Sequence, residues 1–301
     1  MEIQKLRGFY WAVQCRSFSD AAQKIHVSQS AISHQIKSLE EELGVKLYER
    51  IGRGIVPTRE GERLAHYAKS ILHTMDDLES EFDELSRRPH GAIRTAAIRG
   101  MAMFQVPWMV KRFRQQHPEV RLILSSSSFD AEIIRRVTGG EADIGITSSW
   151  NDFDDVHYFE IVSYDMYVCT PLDHEWVGRA DRLSLNEIVE QPLILYEKGT
   201  AEREHIDEVF ARHGLQPDVP IEVGGPIVLK EYVRIGLGVT IISGLMVSQR
   251  REDVIHALPV TDLFGKLGYG IILRKGRYIS SAVREFMRAA GVHEDQIPTV
   301  A

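Results

Sequence analysis

The chain has 301 residues, 44% of them hydrophobic, with 36 basic and 43 acidic side chains and a formal net charge of -7. This length and apolar content suit a globular protein of two or three domains with a sizeable core. No run approaches the roughly 18 consecutive apolar residues of a membrane helix, and the start lacks a signal-peptide cleavage pattern, so a cytoplasmic location is expected. Two cysteines, Cys15 and Cys169, cannot build a disulfide framework, and each reads as a small buried hydrophobe. Net acidity argues against a nucleic-acid partner until charge is counted by segment: residues 1 to 58 hold eight basic and six acidic side chains, residues 59 to 88 five and eight.

Apolar side chains at Ile3, Leu6, Tyr10 and Val13 mark one face of a first helix. In "RSFSDAAQKI", Ser19 is expected to cap a short second helix whose Ala21, Ala22 and Ile25 allow a neighbour to approach. After "HVS", Ser28 caps a third helix, Ile32, Ile36, Leu39 and Leu43 turn toward the core, and Gly44 ends it. Stepping about 100° per residue from Ile32 places Ser30, Ser33, His34 and Lys37 on the far side, with Gln29 in the exposed first turn. Two helices joined by a tight turn, the second presenting short donors and acceptors, form a helix-turn-helix suited to a major groove. Taken singly, each serine could equally solvate a helix face or cap its end. "LYERIGRGIVPTREG" then reads as a hairpin with Arg50 and Arg53 near a glycine-rich tip, followed by Pro57 and Thr58 at the start of another helix.

The segment "FSDAAQKIHVSQSAISHQIKSLEEELGVKLYERIGRGIVPTREG" resembles the DNA-binding domain of LysR-type transcriptional regulators, with "SQSAIS", "LEEELGV" and "PTREG" at the family's spacing. Tyr48 stands where the family usually has Phe, and Ile51 where a polar residue is common. The resemblance implies a winged helix-turn-helix over residues 1 to 58, with operator contacts from Ser28, Gln29, Ser30, Ser33, His34, Lys37, Arg50, Arg53 and Thr58, the two arginines lying on phosphates.

From Thr58 no proline intervenes before Pro89. Leu64, Ala68, Ile71, Met75, Leu78, Phe82 and Leu85 alternate by four and three, the pattern of a coiled-coil seam on a helix of roughly 40 Å. Such a helix needs a partner along its seam, either the rest of the chain or a second copy, and the regular heptad favours a second copy. Residues 59 to 88 are therefore expected to be a linker and dimerisation helix, with the first six of these residues at the interface. The family resemblance adds a homotetramer, and allows RNA polymerase as a further partner.

"RRPHGA" breaks that helix, and residues 89 to 301 follow as an effector-binding domain. "IRTAAI", "VRLIL" and "ADIGIT" read as strands alternating with helices at 104 to 115 and 130 to 138; a second set runs "MYVCT", a helix near 184 to 190, "PLILY", a helix at 201 to 213, "IEV", a helix near 226 to 236, and "GVTII". "YGIILR" and a helix at 279 to 290 close the chain. The fold class is thus multidomain: an all-α winged helix-turn-helix and long linker helix, then an α/β two-lobed domain similar to periplasmic binding proteins of type 2. Lobe I is expected at about 91–162 and 268–301, lobe II at about 163–267.

In such sheets ligands bind beyond the carboxyl ends of strands, near helix starts. Arg99, Gly100, Met101, Ser127, Ser128, Thr147, Ser148, Thr200 and Gly225 are the candidate effector residues, with Arg99 suited to a carboxylate; the hydroxyls could also be simple N-caps. "VLKEYVRIGLGVTII" resembles the cysteine-regulon branch of the family, and Thr147 and Thr200 match it. Arg99, Gly100 and Met101, and Gly224, Gly225 and Pro226, depart from it, which leaves the effector open beyond small and anionic. A solute-binding protein with an incidental N-terminal domain is one rival. An enzyme is the other, but "IGLGV" precedes its strand, no Walker loop, G-x-S-x-G or H-E-x-x-H occurs, and His66 and His73 read as a solvated helix edge. No catalytic residue, metal site or cofactor is expected.

Overall fold

Residues 1–51, 54–83, 89, 91–148, 154–179, 182–247 and 255–298 are described by the computed structural model, in which the chain divides into two units: Met1–Ser86 with Gly139–Glu141, and Arg87–Thr138 with Ala142–Ala301. In the first unit, α1 (Ile3–Cys15), α2 (Phe18–Lys24) and α3 (Gln29–Leu43) close around Phe9, Ala12, Phe18, Ala21, Ala22, Ile32, Ile36 and Leu39. The cap of α2 is Ser17 rather than Ser19: the Ser17 hydroxyl accepts the Asp20 N–H at 3.2 Å. Phe18 is the reason. It is buried in this core as the first residue of the helix, so the cap must precede it. Ser28 caps α3 as expected, accepting the Ala31 N–H at 3.2 Å, and Gly44 ends that helix at φ 69°.

The wing is an antiparallel hairpin of β1 (Tyr48–Ile51) and β2 (Gly54–Pro57). Leu47 and Ile55 anchor it in the helical core. The long helix α4 (Arg59–Asp83) follows at once, about 37 Å long at 1.5 Å per residue, and Ala65 ties it to the same core.

The second unit begins with β3 (Ala92–Ile98), from which α5 (Arg99–Phe104) starts without a loop. The single helix expected at 104 to 115 is therefore two, α5 and α6 (Val106–Gln116), with a proline in the first turn of the latter, a position where its missing N–H is harmless. Then come β4 (Arg121–Ser127), α7 (Asp130–Thr138), β5 (Ile144–Ser148) and β6 (Val156–Thr170). The expected strand "MYVCT" is only the end of β6. The chain continues through α8 (Leu185–Val189), β7 (Ile194–Tyr196), α9 (Ala201–Arg212), β8 (Ile221–Val223), α10 (Pro226–Arg234) and β9 (Thr240–Ser243). It closes with α11 (Gly244–Val247), β10 (His256–Pro259), α12 (Thr261–Phe264), β11 (Lys266–Arg274), α13 (Ser281–Ala290) and a 3-10 turn at Glu294–Gln296.

Among the described residues seven strands join in one sheet, ordered β10-β6-β11-β5-β3-β4 with β9 also on β6. β3, β4 and β5 are mutually parallel, as their helical crossovers require, while β11 runs antiparallel to β5 and β6. β7 and β8 form a separate parallel pair. The two lobes share β6: it pairs with β11 from Val156 to Asp165, then with β9 from Met166 and β10 from Tyr167. β6 changes partner at 165/166 on the outward strand, and the chain returns at Gly265. Gly265 has φ 67° and ψ -150°, a conformation open to glycine alone.

Candidate functional sites

On α3 the buried stripe of Ile32, Ile36 and Leu39 leaves the opposite side free. Gln29, Ser30, His34 and Lys37 are exposed there, and Ser33 is half-buried beside them. Arg50 is exposed on β1; Arg53 lies outside the described residues. Lys37 stands 3.8 Å from Glu41 with both side chains solvated, a pairing worth little that leaves the ammonium available to a phosphate. Two of the expected contacts have work inside the domain. Ser28 caps α3 and its hydroxyl also lies 2.9 Å from that of Ser30. The Thr58 hydroxyl donates to the Lys46 carbonyl at 2.7 Å and accepts the Gly61 N–H at 3.0 Å, which caps α4.

Glu40 was not singled out from sequence. It is buried, and one carboxylate oxygen accepts the Leu47 N–H at 2.9 Å while the other holds Lys46 at 3.0 Å. It fastens the start of the wing to the recognition helix. On α4, Leu64 and Met75 are half-buried, Ala68 has no exposed surface, and Ile71 and Leu78 are 38% and 50% exposed. The side chain of Phe82 lies outside the described residues.

In the second unit a cleft between the lobes encloses about 310 Å³ of empty space, its open mouth included. Ile98, Arg99 and Gly100 from the start of α5 and Ser128 from the loop after β4 line one side. Tyr196, Thr200, Glu202, Gly224, Gly225, Pro226 and Met246 line the other. The cleft is latched. Arg99 Nη1 donates to the Gly224 carbonyl at 2.8 Å, and Ser128 Oγ donates to the same carbonyl at 2.9 Å. At Gly100 a Cβ atom would sit 2.0 Å from the terminal methyl of Met246, so the missing side chain lets α5 and α11 meet. Thr200 turns its hydroxyl to the Glu197 carbonyl at 2.9 Å rather than capping α9, and no side chain caps α10 either. Two helix starts without a cap from their N-cap side chains therefore face the cleft, although in the first turn of α9 the Glu202 carboxylate accepts a backbone N–H.

Five of the nine expected effector residues line this space: Arg99, Gly100, Ser128, Thr200 and Gly225. Four do not. Met101 is fully buried in the core, and the Ser127 hydroxyl accepts the Phe129 N–H at 3.1 Å. Thr147 and Ser148 are fully buried on Asp130: its Oδ1 accepts the Thr147 hydroxyl, the Ser148 N–H at 2.9 Å and the Ser148 hydroxyl at 3.2 Å. An aspartate at the first residue of α7 draws the hydroxyls inward, and nothing in their own segment announces it.

The cleft residues missed from sequence include Tyr196 and Glu202. Glu202 is buried, it accepts the Tyr269 hydroxyl at 3.3 Å, and burial together with the nearby Asp130 pushes its pKa up to about 7. Burial also raises the Tyr196 phenol well above its ordinary value. No group of metal-ligating side chains occurs among the described residues, and no helix there is long and apolar enough to cross a membrane.

A solvated recognition helix beside a wing, on a chain that also folds a latched two-lobed cleft, defines a ligand-responsive DNA-binding regulator. Residues 3–62 match the family described as bacterial regulatory helix-turn-helix protein, lysR family, and residues 86–293 match the LysR substrate binding domain. The chain belongs to the LysR-type transcriptional regulators. It is 30% identical over 282 residues to the HTH-type transcriptional regulator SsuR of Burkholderia cenocepacia, covering 93% of this chain and 91% of that one. It is 28% identical over 269 residues to CysB of the same organism, covering 89% and 85%. That similarity accords with the cysteine-regulon resemblance of residues 228 to 242. Full-length CbnR complexed with its target DNA shares the fold, with a TM-score of 0.71, 20% identity and 96% and 99% coverage. Such relatives are regulators of transcription, not enzymes.

Proposed function

We propose that this regulator reads operator DNA through α3 and its wing, as a cytoplasmic homo-oligomer, and responds to a small anionic effector held between the lobes of a periplasmic-binding-protein-like, type 2 domain. The observation that carries the effector reading is the Arg99 latch. A guanidinium hydrogen-bonded across the cleft to a neutral carbonyl, beside the uncapped starts of α9 and α10, is a site where an anion gains more than the carbonyl it displaces, because charge-assisted bonds are roughly twice as strong as neutral ones. Ile71 and Leu78, seven residues apart and exposed on α4, support pairing with a second copy, and Leu64 and Met75 extend the same stripe. Ala68 adds no surface to it.

A metabolite screen by thermal shift on the full chain tests the effector reading. A ligand at 100 times its dissociation constant adds about 2.7 kcal/mol of stability, and a panel of small anions with no member that shifts the protein contradicts it. Arg99→Ala is expected to weaken any such ligand at least tenfold, about 1.4 kcal/mol, while operator affinity without ligand stays as in the parent. A variant that responds normally removes Arg99 from the site.

For the DNA face, Ser33→Ala is expected to lower discrimination at one operator base pair by about 1 to 3 kcal/mol. Competition binding against single-base operator variants reads this directly. An equal loss on every sequence would assign Ser33 to the backbone rather than to a base edge.

A further inference from the structure

The lining of the cleft also carries a group opposite in charge to Arg99. Glu202 lines it at 8% exposure and Tyr196 at 6%. The Tyr196 hydroxyl has no hydrogen-bond partner, although it lies within electrostatic reach of Glu202. Behind them Asp130, 2% exposed, directs all its partners to Oδ1 and leaves Oδ2 without one. Among the described residues neither carboxyl forms an ion pair with a basic side chain. Buried carboxylates without a cation or a full set of donors are costly and are retained where something else completes them. The neutral donors present, the Tyr269 hydroxyl and a backbone N–H on Glu202 and two hydroxyls and an N–H on Asp130, bring no positive charge to this pair and leave Asp130 Oδ2 without a partner.

We infer that the effector carries a protonated amine in addition to its anionic group, and that the amine docks against the Glu202 carboxylate and the Tyr196 hydroxyl while the anion meets Arg99. The ligand class is a small amino acid or another compact zwitterion, within a cleft of about 310 Å³. This rests on the reading of the cleft as an anion site, and adds the feature that separates a zwitterion from a simple oxyanion or carboxylate. An ammonium supplies three donors and a full charge, so it satisfies the orphaned Tyr196 hydroxyl and neutralises the Glu202 carboxylate together.

The test is calorimetric titration of the full-length protein with matched pairs at millimolar concentration: L-alanine and β-alanine against propionate, and γ-aminobutyrate against butyrate. At least one amino compound is expected to bind tenfold or more tightly than its matched acid. Glu202→Gln closes that gap. Tyr196→Phe, which removes only the unpartnered oxygen, narrows it and guards against a folding defect in the first variant. Acids that bind as well as their amino counterparts, with Arg99→Ala abolishing both, overturn the zwitterion inference and leave the anion cleft standing. Binding by neither series, or binding indifferent to Arg99→Ala, overturns both.

Discussion

Gly61→Ala is expected to destabilise the DNA-reading unit by about 3 kcal/mol or more. A Cβ atom at residue 61 would lie 1.9 Å from the Leu47 carbonyl oxygen and 2.9 Å from its carbon, far inside contact distance. Leu47 cannot yield cheaply. Its N–H is held by the buried Glu40 carboxylate, its carbonyl accepts the Thr58 N–H at 3.1 Å, and its side chain is 1% exposed in the helical core. Shifting it would disturb the start of the wing, the cap of α4 and the core at once. For a unit of this size the loss corresponds to a midpoint lowered by more than about 10 °C. Scanning calorimetry of the full chain would show one transition falling while the effector unit's transition stays in place, and operator binding would fail at the lower temperature. An unchanged melting profile would mean that α4 and the wing approach each other less closely than described. The "PTREG" motif thereby has a physical content: proline and threonine start the helix, and the glycine lets it start against the wing.

The second large effect concerns pH. Glu202 titrates near 7 in the folded protein, chiefly because burial penalises its charged form and secondarily because Asp130 lies close. In the unfolded chain it titrates near the ordinary 4.5. Between these values the folded state holds the proton more firmly, so stability is fully present below 4.5 and is lost as pH rises through about 7. The difference amounts to about 3 kcal/mol. Glu202→Gln has no proton to lose. Melting of the effector unit from pH 5 to pH 8 should therefore show the wild type losing roughly 6 to 12 °C relative to the glutamine variant. Parallel profiles for the two proteins would show that the carboxyl is hydrated in solution.

The recognition helix was legible because three independent signals agreed along it: the apolar spacing from Ile32 to Leu39, Ser28 as a cap and Gly44 as a stop. The strands of the effector unit were legible as short apolar runs. The full extent of β6 was not, because its burial is irregular over much of its length and Glu160 and Asp165 interrupt any alternation. The cleft was half legible. Arg99 and Ser128 could be placed by the rule that ligands gather beyond strand ends, but Thr147 and Ser148 obey the same rule and are taken by Asp130, a contact between residues 17 and 18 positions apart in the chain. Glu202 gave no signal at all. An acidic residue in the first turn of a helix reads as a favourable solvated charge, and only the packing of α9 against the cleft turns it into a buried one.

The two places where the chain passes between the lobes lie side by side, Asp165 opposite Lys266 with Gly265 at the return. Neighbouring crossings have the geometry of a door's pin: a swing of one lobe about that line would keep the β6–β11 pairing, while sliding or twisting in other directions would break it. Because displacement grows with distance from that line, a small change at the Gly224 carbonyl would be magnified at the outer rim of the lobe.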